Sequence, residues 1–225
     1  MHNIVQLIDN GKGQIITANA EMIYRAHLDA ELKQIFDQAQ IVTPDGMGVV
    51  LAAKILKDPV VERISGYDLL LSLAGALAVE GKPIYLLGGA PTVAESAGAR
   101  LKALFPGLKL VGARHGYFTD DESISIINNI RDAKPAILFV ALGFPRQEKW
   151  IHQNIDVLPC VAMGVGGSFD VLGGKAQRAP LVLQKHGLEW AYRLYKEPWR
   201  FKRMMVLPKF MLAVIWERFV GGGGI

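Results

Sequence analysis

Asp45 is the residue whose surroundings point most directly to chemistry. It stands in Thr43-Pro44-Asp45-Gly46, directly after the short apolar stretch Gln40–Thr43. A carboxylate at the end of a strand is where a general base would sit, although Pro-Asp-Gly is also common turn chemistry. Thr17 and Asn19 close the run Gln14–Thr17; they could meet a ligand or cap the next helix. Gly143, Gln147 and Glu148 lie in Leu142-Gly143-Phe144-Pro145-Arg146-Gln147-Glu148, where an acid also suits the first turn of a helix. Gly164, Gly166, Gly167 and Asp170 share Gly164-Val165-Gly166-Gly167-Ser168-Phe169-Asp170, a cluster that lets a backbone approach a phosphate closely. Gly88 and Gly89 form a sparser turn of the same kind, which a plain strand-to-helix connection would equally use. No G-x-G-x-x-G with an acidic ribose partner is present, which argues against a nicotinamide-linked oxidoreductase. The five histidines are scattered, no D-x-D occurs, and Asp120-Asp121-Glu122 reads as a helix start. Neither a metal site nor a cofactor is therefore expected.

These residues need elements to position them. Candidate strands are Gln14–Thr17, Gln40–Thr43, Pro83–Leu87, Lys109–Gly112, Ala136–Ala141 and Cys160–Gly164. Between them lie amphipathic stretches of helix length: Ala20–Gln38, Gly48–Lys57, Tyr67–Glu80, Thr92–Phe105, Asp120–Ala133 and Gln147–Asn154. Thr119 with Glu122 three residues on is a capping box. Strands separated by helices predict α/β architecture, a Rossmann-like, mostly parallel sheet flanked by helices. Ligands then bind beyond the carboxyl ends of the strands, and the polar, glycine-rich segments above all follow strands. That convergence weighs more than any single motif.

The bulk numbers fit a globular α/β domain with an appendage: 225 residues, 51% hydrophobic and 20% charged. The single cysteine, Cys160, sits in an apolar run and suits a reducing compartment. Residues 1–13 lack the pattern of a signal peptide, and no apolar run reaches the ~18 residues needed to span a bilayer. The glycine run 221–224 reads as a flexible tail.

Charge divides the chain unevenly. Lys185 to Arg218 carries eight Lys or Arg and three Glu, a net +5, while the rest is −1. Arg193, Lys196, Arg200 and Arg203 are spaced to form one helical stripe, interleaved with Trp190, Tyr192, Tyr195, Trp199 and Phe201. Pro208 is expected to break this helix before the apolar run Phe210–Trp216. Basic and aromatic residues followed by an apolar run too short to span predict an interfacial helix on an anionic membrane surface. Nucleic acid would give the apolar run no role. The expected division is an α/β catalytic core over residues 1–188 and a C-terminal helical, membrane-binding appendage over 189–225.

Assembled in order, these motifs resemble the WecG/TagA/CpsF family of bacterial glycosyltransferases. The resemblance rests on Thr17-x-Asn19-Ala-Glu21, Thr43-Pro-Asp45-Gly46-x-Gly48, Arg63-x-x-Gly66-x-Asp68, Tyr85-Leu-Leu-Gly88, His115-Gly-Tyr-Phe118, Leu142-Gly-x-Pro145-x-Gln147-Glu148, Gly164-x-Gly166-Gly167-x-Phe169-Asp170, Arg178-Ala-Pro180 and Gly187-Leu-Glu189-Trp190-x-x-Arg193 with Glu197-Pro198-x-Arg200-x-x-Arg203. It covers residues 14–208 and lies nearest the branch that builds the linkage unit of wall teichoic acid. Family members carry a further N-terminal segment with a strand, so an edge strand is expected to be missing here.

The resemblance implies an inverting hexosaminyltransferase that needs no metal. Its donor would be a UDP-sugar, UDP-N-acetylmannosamine in that branch, and its acceptor an undecaprenyl-diphosphate-linked N-acetylglucosamine. Asp45 would be the general base, and Thr17, Asn19 and Gln147 would orient donor sugar or acceptor. The glycine turns at Gly88–Gly89 and Gly164–Gly167 would take nucleotide and diphosphate. Arg63, Gly143, Glu148, Asp170 and Arg178 would line the substrate site, and Arg193, Arg200 and Arg203 would stabilise the departing UDP. The enzyme would sit in the cytoplasm, peripheral at the inner face of the membrane, with homo-oligomer formation left open. Transfer of N-acetylmannosaminuronic acid or another hexose, and a non-catalytic nucleotide-sugar-binding module, stand as alternatives.

Overall fold

The computed structural model describes residues 2–59, 62–198 and 201–220. In chain order its elements are α1 (His2–Asn10), β1 (Gly13–Ala18), α2 (Ala20–Leu28), α3 (Ala30–Gln38), β2 (Ile41–Pro44), α4 (Met47–Leu56) and α5 (Gly66–Glu80). Then follow β3 (Pro83–Gly88), α6 (Val93–Leu104), β4 (Lys109–Arg114), α7 (Asp120–Ala133), β5 (Ile137–Ala141), α8 (Arg146–Asn154) and β6 (Val161–Gly164). The chain closes with α9 (Ser168–Leu172), α10 (Leu181–Lys185), α11 (Glu189–Lys196), α12 (Phe201–Met204) and α13 (Val206–Phe219). All six expected strands form, each within a residue or two of its predicted bounds.

Two compact units result. One comprises the chain up to residue 17, residues 35–42 and residues 66–176; the other comprises 18–34, 43–65 and the chain from 177 on. The expected boundary at 188/189 falls inside the second unit.

The first unit is built on the six-stranded sheet, in the order β2-β1-β6-β5-β3-β4. β1 with β6, β6 with β5, β5 with β3 and β3 with β4 pair in parallel. β5 and β6 are buried along their whole length, as helices on both faces of a parallel sheet require. One side of the core gathers Leu87, Leu138, Val140, Ile126, Ile130, Trp150 and Ile151. Cys160 lies in that cluster, and burial pushes its thiol pKa up to about 12, as for an inert packing residue. β3 leads outward to β4 while its neighbour β5 leads the other way to β6. Such divergence opens a crevice at the carboxyl ends of the strands.

In the second unit, α13 packs on α2 and α4. Phe210 and Val214 join Ala20, Val49 and Ala52 in a small core, with Leu207 and Met211 against it.

Local sequence reading needs four corrections. The predicted helix Ala20–Gln38 is two helices. Asp29 is extended, and its carboxylate accepts from the amides of Glu31 and Leu32, so it caps α3 where a continuous helix was expected. The basic stripe does not lie on one helix: α11 ends at Lys196, because Pro198 keeps Glu197 out of helical geometry. Pro208 lies within the first turn of α13, where its missing N–H costs nothing, and the break comes earlier at Met205. The run Phe210–Trp216 is not exposed along its whole length. Phe210 is 3% and Val214 1% exposed, whereas Trp216 is 63% exposed and Leu212 and Ile215 are also open. A helix shows two faces, and here one is spent on protein core. Trp199, Arg200 and the glycine tail lie outside the described residues.

Candidate functional site

In the first unit the expected residues collect at the ends of β1, β3, β5 and β6. Gly88 closes β3, and a side chain there would come within 2.4 Å of the Ala141 carbonyl at the end of β5. Glycine is what lets these strand ends meet, and the Gly89 amide then donates to that carbonyl at 2.9 Å. The segment after β4 is fastened to the same turn, with the Gly116 amide donating to the Gly89 carbonyl at 2.8 Å.

After β5, Gly143 turns with φ +78°, and its carbonyl accepts from the Gln147 amide at 2.9 Å, starting α8. Gln147 and Glu148 are 4% and 1% exposed. The Gln147 side chain donates from Nε2 to Glu148 Oε1 at 2.8 Å and accepts at Oε1 from the Gly166 amide at 3.1 Å. Thr17 reaches the same turn from β1, its hydroxyl donating to the Gly164 carbonyl at 3.3 Å. Thr17, Gln147, Glu148, Gly164 and Gly166 thus form one hydrogen-bonded group. Burial raises the Glu148 carboxyl from its ordinary 4.5 to about 7, against the lowering effect of the Gln147 hydrogen bond. Gly167 precedes α9, a short helix that sequence reading missed, and half-buried Asp170 lies on it.

In the second unit Asn19 caps α2, its Oδ1 accepting from the Met22 amide at 3.0 Å. The structural role weighed for it is realised. Asp45 is half-buried in the turn from β2 to α4. Its amide donates to the Ala18 carbonyl at 2.8 Å, and the Pro44 carbonyl accepts from Ile64 at 2.8 Å. Gly46 has φ +93°, so Pro-Asp-Gly serves as a turn whatever else the carboxylate does.

Arg63 and Arg178 converge on one carboxylate. Arg63 Nη1 lies 3.8 Å from Glu189 Oε2, and Arg178 Nε lies 3.5 Å from Glu189 Oε1, all three side chains largely buried. Glu189 opens α11 and was not picked out as a site residue; its place in Gly187-Leu-Glu189-Trp190 was the available signal. Arg200 lies outside the described residues, as do the side chains of Arg193 and Arg203.

Arg146 was also missed, though it adjoins Gln147. It donates to the carbonyls of Gly116 and Phe118 at 3.1 and 3.2 Å and stands 4.9 Å over the Phe118 ring. With Tyr117, Phe118, Thr119 and Glu122 it lines an open hollow of about 320 Å³ that includes none of the expected site residues. Among the described residues, no group of three or more His, Cys, Asp or Glu could hold a metal ion, and no helix is long and apolar enough to cross a membrane.

Fold and site together define a parallel α/β protein with glycine turns and polar side chains gathered at the carboxyl ends of its strands. More particularly, the chain belongs to the Glycosyl transferase WecG/TagA/CpsF family, whose model matches residues 1–222. It is 38% identical over 210 residues to the N-acetylglucosaminyldiphosphoundecaprenol N-acetyl-beta-D-mannosaminyltransferase of Bacillus spizizenii, covering 92% of this chain and 81% of that one. The enzyme of that name from Bacillus subtilis is 36% identical over 212 residues, with 93% and 82% covered. That from Staphylococcus aureus strain MW2 is 35% identical over 202 residues, with 89% and 78% covered.

Proposed function

We propose that this chain transfers N-acetylmannosamine from UDP-N-acetylmannosamine to undecaprenyl-diphosphate-linked N-acetylglucosamine. The observation that carries this is its similarity, over about nine-tenths of its length, to enzymes that share one name. In the reaction an acceptor hydroxyl attacks the anomeric carbon, the bond to the donor's diphosphate breaks, and UDP departs with inversion. Asp45 takes the hydroxyl proton. Thr17, Asn19 and Gln147 orient the sugars, and the glycine turns at Gly88–Gly89, Gly143 and Gly164–Gly167, with Asp170, hold the nucleotide and diphosphate.

The charge that develops on UDP is met by arginines. Arg63 and Arg178 are held near one another by Glu189, and Arg193, Arg200 and Arg203 supply further positive charge from the basic segment. Fixed guanidinium groups can do the work that a divalent cation does elsewhere, so the reaction runs without metal. The acceptor's lipid stays in the bilayer, so the enzyme works peripherally at the cytoplasmic face. The +5 segment supports that reading, as do the exposed apolar residues Leu212, Trp216 and Phe219 of α13.

The test is a panel of UDP-sugars assayed with a lipid-diphosphate-N-acetylglucosamine analogue, the product identified by mass. A mass increment of one N-acetylhexosamine, from UDP-N-acetylmannosamine in preference to its uronic acid, is expected. Preference for the uronic acid would move the chain to the sister activity, and donor binding with no product from any donor would leave a binding module.

A further inference from the structure

Among the described residues Glu148 is the one acidic residue buried almost completely, at 1% exposed. A carboxylate in such a place is costly unless hydrogen bonds compensate it. Here Oε1 accepts from Gln147, while Oε2 has no hydrogen-bond partner. The first turn of α8 favours an acid through the helix dipole, but that preference is met as well by an exposed side chain. The burial calls for another explanation.

Gln147 provides it. The two ends of a side-chain amide are nearly the same shape, and only their partners decide which way it faces. The Gly166 N–H can only donate, and it holds Gln147 Oε1. The Glu148 oxygen accepts, and it holds Nε2. Together they permit one orientation and leave one N–H and one lone pair of the amide for a ligand. The surroundings are shaped to admit the pair. A Cβ on Gly164 would lie 2.5 Å from Gln147 Nε2 and 3.0 Å from Glu148 Oε1. Gln14, itself buried, donates from its side chain to the Glu148 carbonyl at 3.2 Å and steadies the start of α8. Thr17 holds the Gly164 carbonyl from the other strand.

We infer that Glu148 is a positioning residue: it locks the amide of Gln147 in the orientation that holds the Gly166 N–H, and so fixes the shape of the Gly164–Gly167 turn. Its effect on the turn is carried through Gln147. Its importance to turnover rests on the proposed role of that turn in holding the donor's diphosphate.

The test compares Glu148→Gln, Glu148→Leu and Gly164→Ala in the full chain. Two readouts are used: steady-state kinetics with UDP-N-acetylmannosamine, and hydrogen exchange of the Gly166 amide without substrate. Glu148→Gln still offers a carbonyl to Gln147 Nε2, so Gly166 exchange should stay near wild type. Glu148→Leu removes the acceptor. It should raise donor KM and speed Gly166 exchange by about five- to tenfold, the size of one ordinary hydrogen bond, with a smaller change in kcat. Gly164→Ala displaces the Gln147 amide with Glu148 intact and should reproduce that pattern, which guards against a Glu148→Leu protein that fails to fold. Gly166 exchange as fast in Glu148→Gln as in Glu148→Leu would show that the charge itself acts and overturn the inference. Unchanged Gly166 exchange in both Glu148→Leu and Gly164→Ala would overturn it too. Should the wild type transfer no sugar, the proposed reaction falls, while the exchange comparison still decides the role of Glu148.

Discussion

Gln147 can lie against the end of β6 only because residue 164 has no side chain. The position a Gly164 methyl would take is 2.5 Å from Gln147 Nε2. A glycine and a glutamine seventeen positions apart are therefore one structural unit.

Asp45 carries the proposed proton transfer. Asp45→Asn keeps the shape of the turn and the backbone bond to Ala18. It should lower kcat by about 10²- to 10⁴-fold, the usual worth of a general base, with an unchanged unfolding midpoint. Turnover close to wild type in the purified variant would remove Asp45 from the mechanism.

Glu148 makes stability depend on pH in a stated direction. Its folded-state pKa is raised to about 7, from an ordinary 4.5. The folded protein then holds a proton that the unfolded chain has already lost, so stability falls as pH rises from about 4.5 to about 7 and levels off above. The upper bound is roughly 3 kcal/mol. Glu148→Gln lacks this contribution. Denaturant unfolding should find the variant about as stable as wild type near pH 4.5 and more stable at pH 8. Parallel pH profiles for the two proteins would show that Glu148 is ionised when folded.

The two faces of α13 should separate experimentally. Phe210→Ala opens the small core with Ala20, Val49 and Ala52 and should cost about 3–5 kcal/mol. Trp216→Ser with Phe219→Ser changes exposed positions and should cost about 0.5 kcal/mol or less per site. The double variant should nevertheless bind vesicles containing anionic lipid far less. Full vesicle binding by a folded double variant would place the membrane contact elsewhere.

Glu189 holds two arginines at 3.8 and 3.5 Å. Glu189→Ala should destabilise the protein by roughly 1–3 kcal/mol, between the values for a surface pair and a buried one. It should also raise donor KM, because Arg63 and Arg178 lose their common anchor. A variant with wild-type unfolding and kinetics would reduce the cluster to a surface feature.

Turnover should persist in excess EDTA, since arginines are proposed to carry the charge of the leaving diphosphate. Inhibition by EDTA that Mg²⁺ or Mn²⁺ reverses would put a metal into the reaction.

Much of this architecture was legible before any coordinates. Apolar runs such as Ala136–Ala141 and the capping box of Thr119 with Glu122 are local signals, and both appear as read. The order of motifs along the chain was enough to suggest the family, because motif order is itself a property of sequence. Turn chemistry at Pro44-Asp45-Gly46 is likewise written in residue types.

Other features were decided only by what packs together. Nothing in the run Phe210–Trp216 says whether lipid or Ala20, Val49 and Ala52 will cover it; α13 had to meet α2 and α4 first. Asp29 ends one helix and caps the next through its own side chain, a local competition that a helix-length polar and apolar pattern hides. A first-turn acid such as Glu148 gives no local sign that it will be buried, and nothing local to Glu189 shows that Arg63, from a distant segment, and Arg178 will both meet it. Periodicity and propensity act over a few residues, whereas burial and ion pairing join residues from 11 to more than a hundred positions apart, as Arg178 and Arg63 do with Glu189. The sequence alone determined the six strands and which polar residues end them. Tertiary structure decided which of those residues face one another, because burial and hydrogen bonding between distant segments exist only once the sheet has paired.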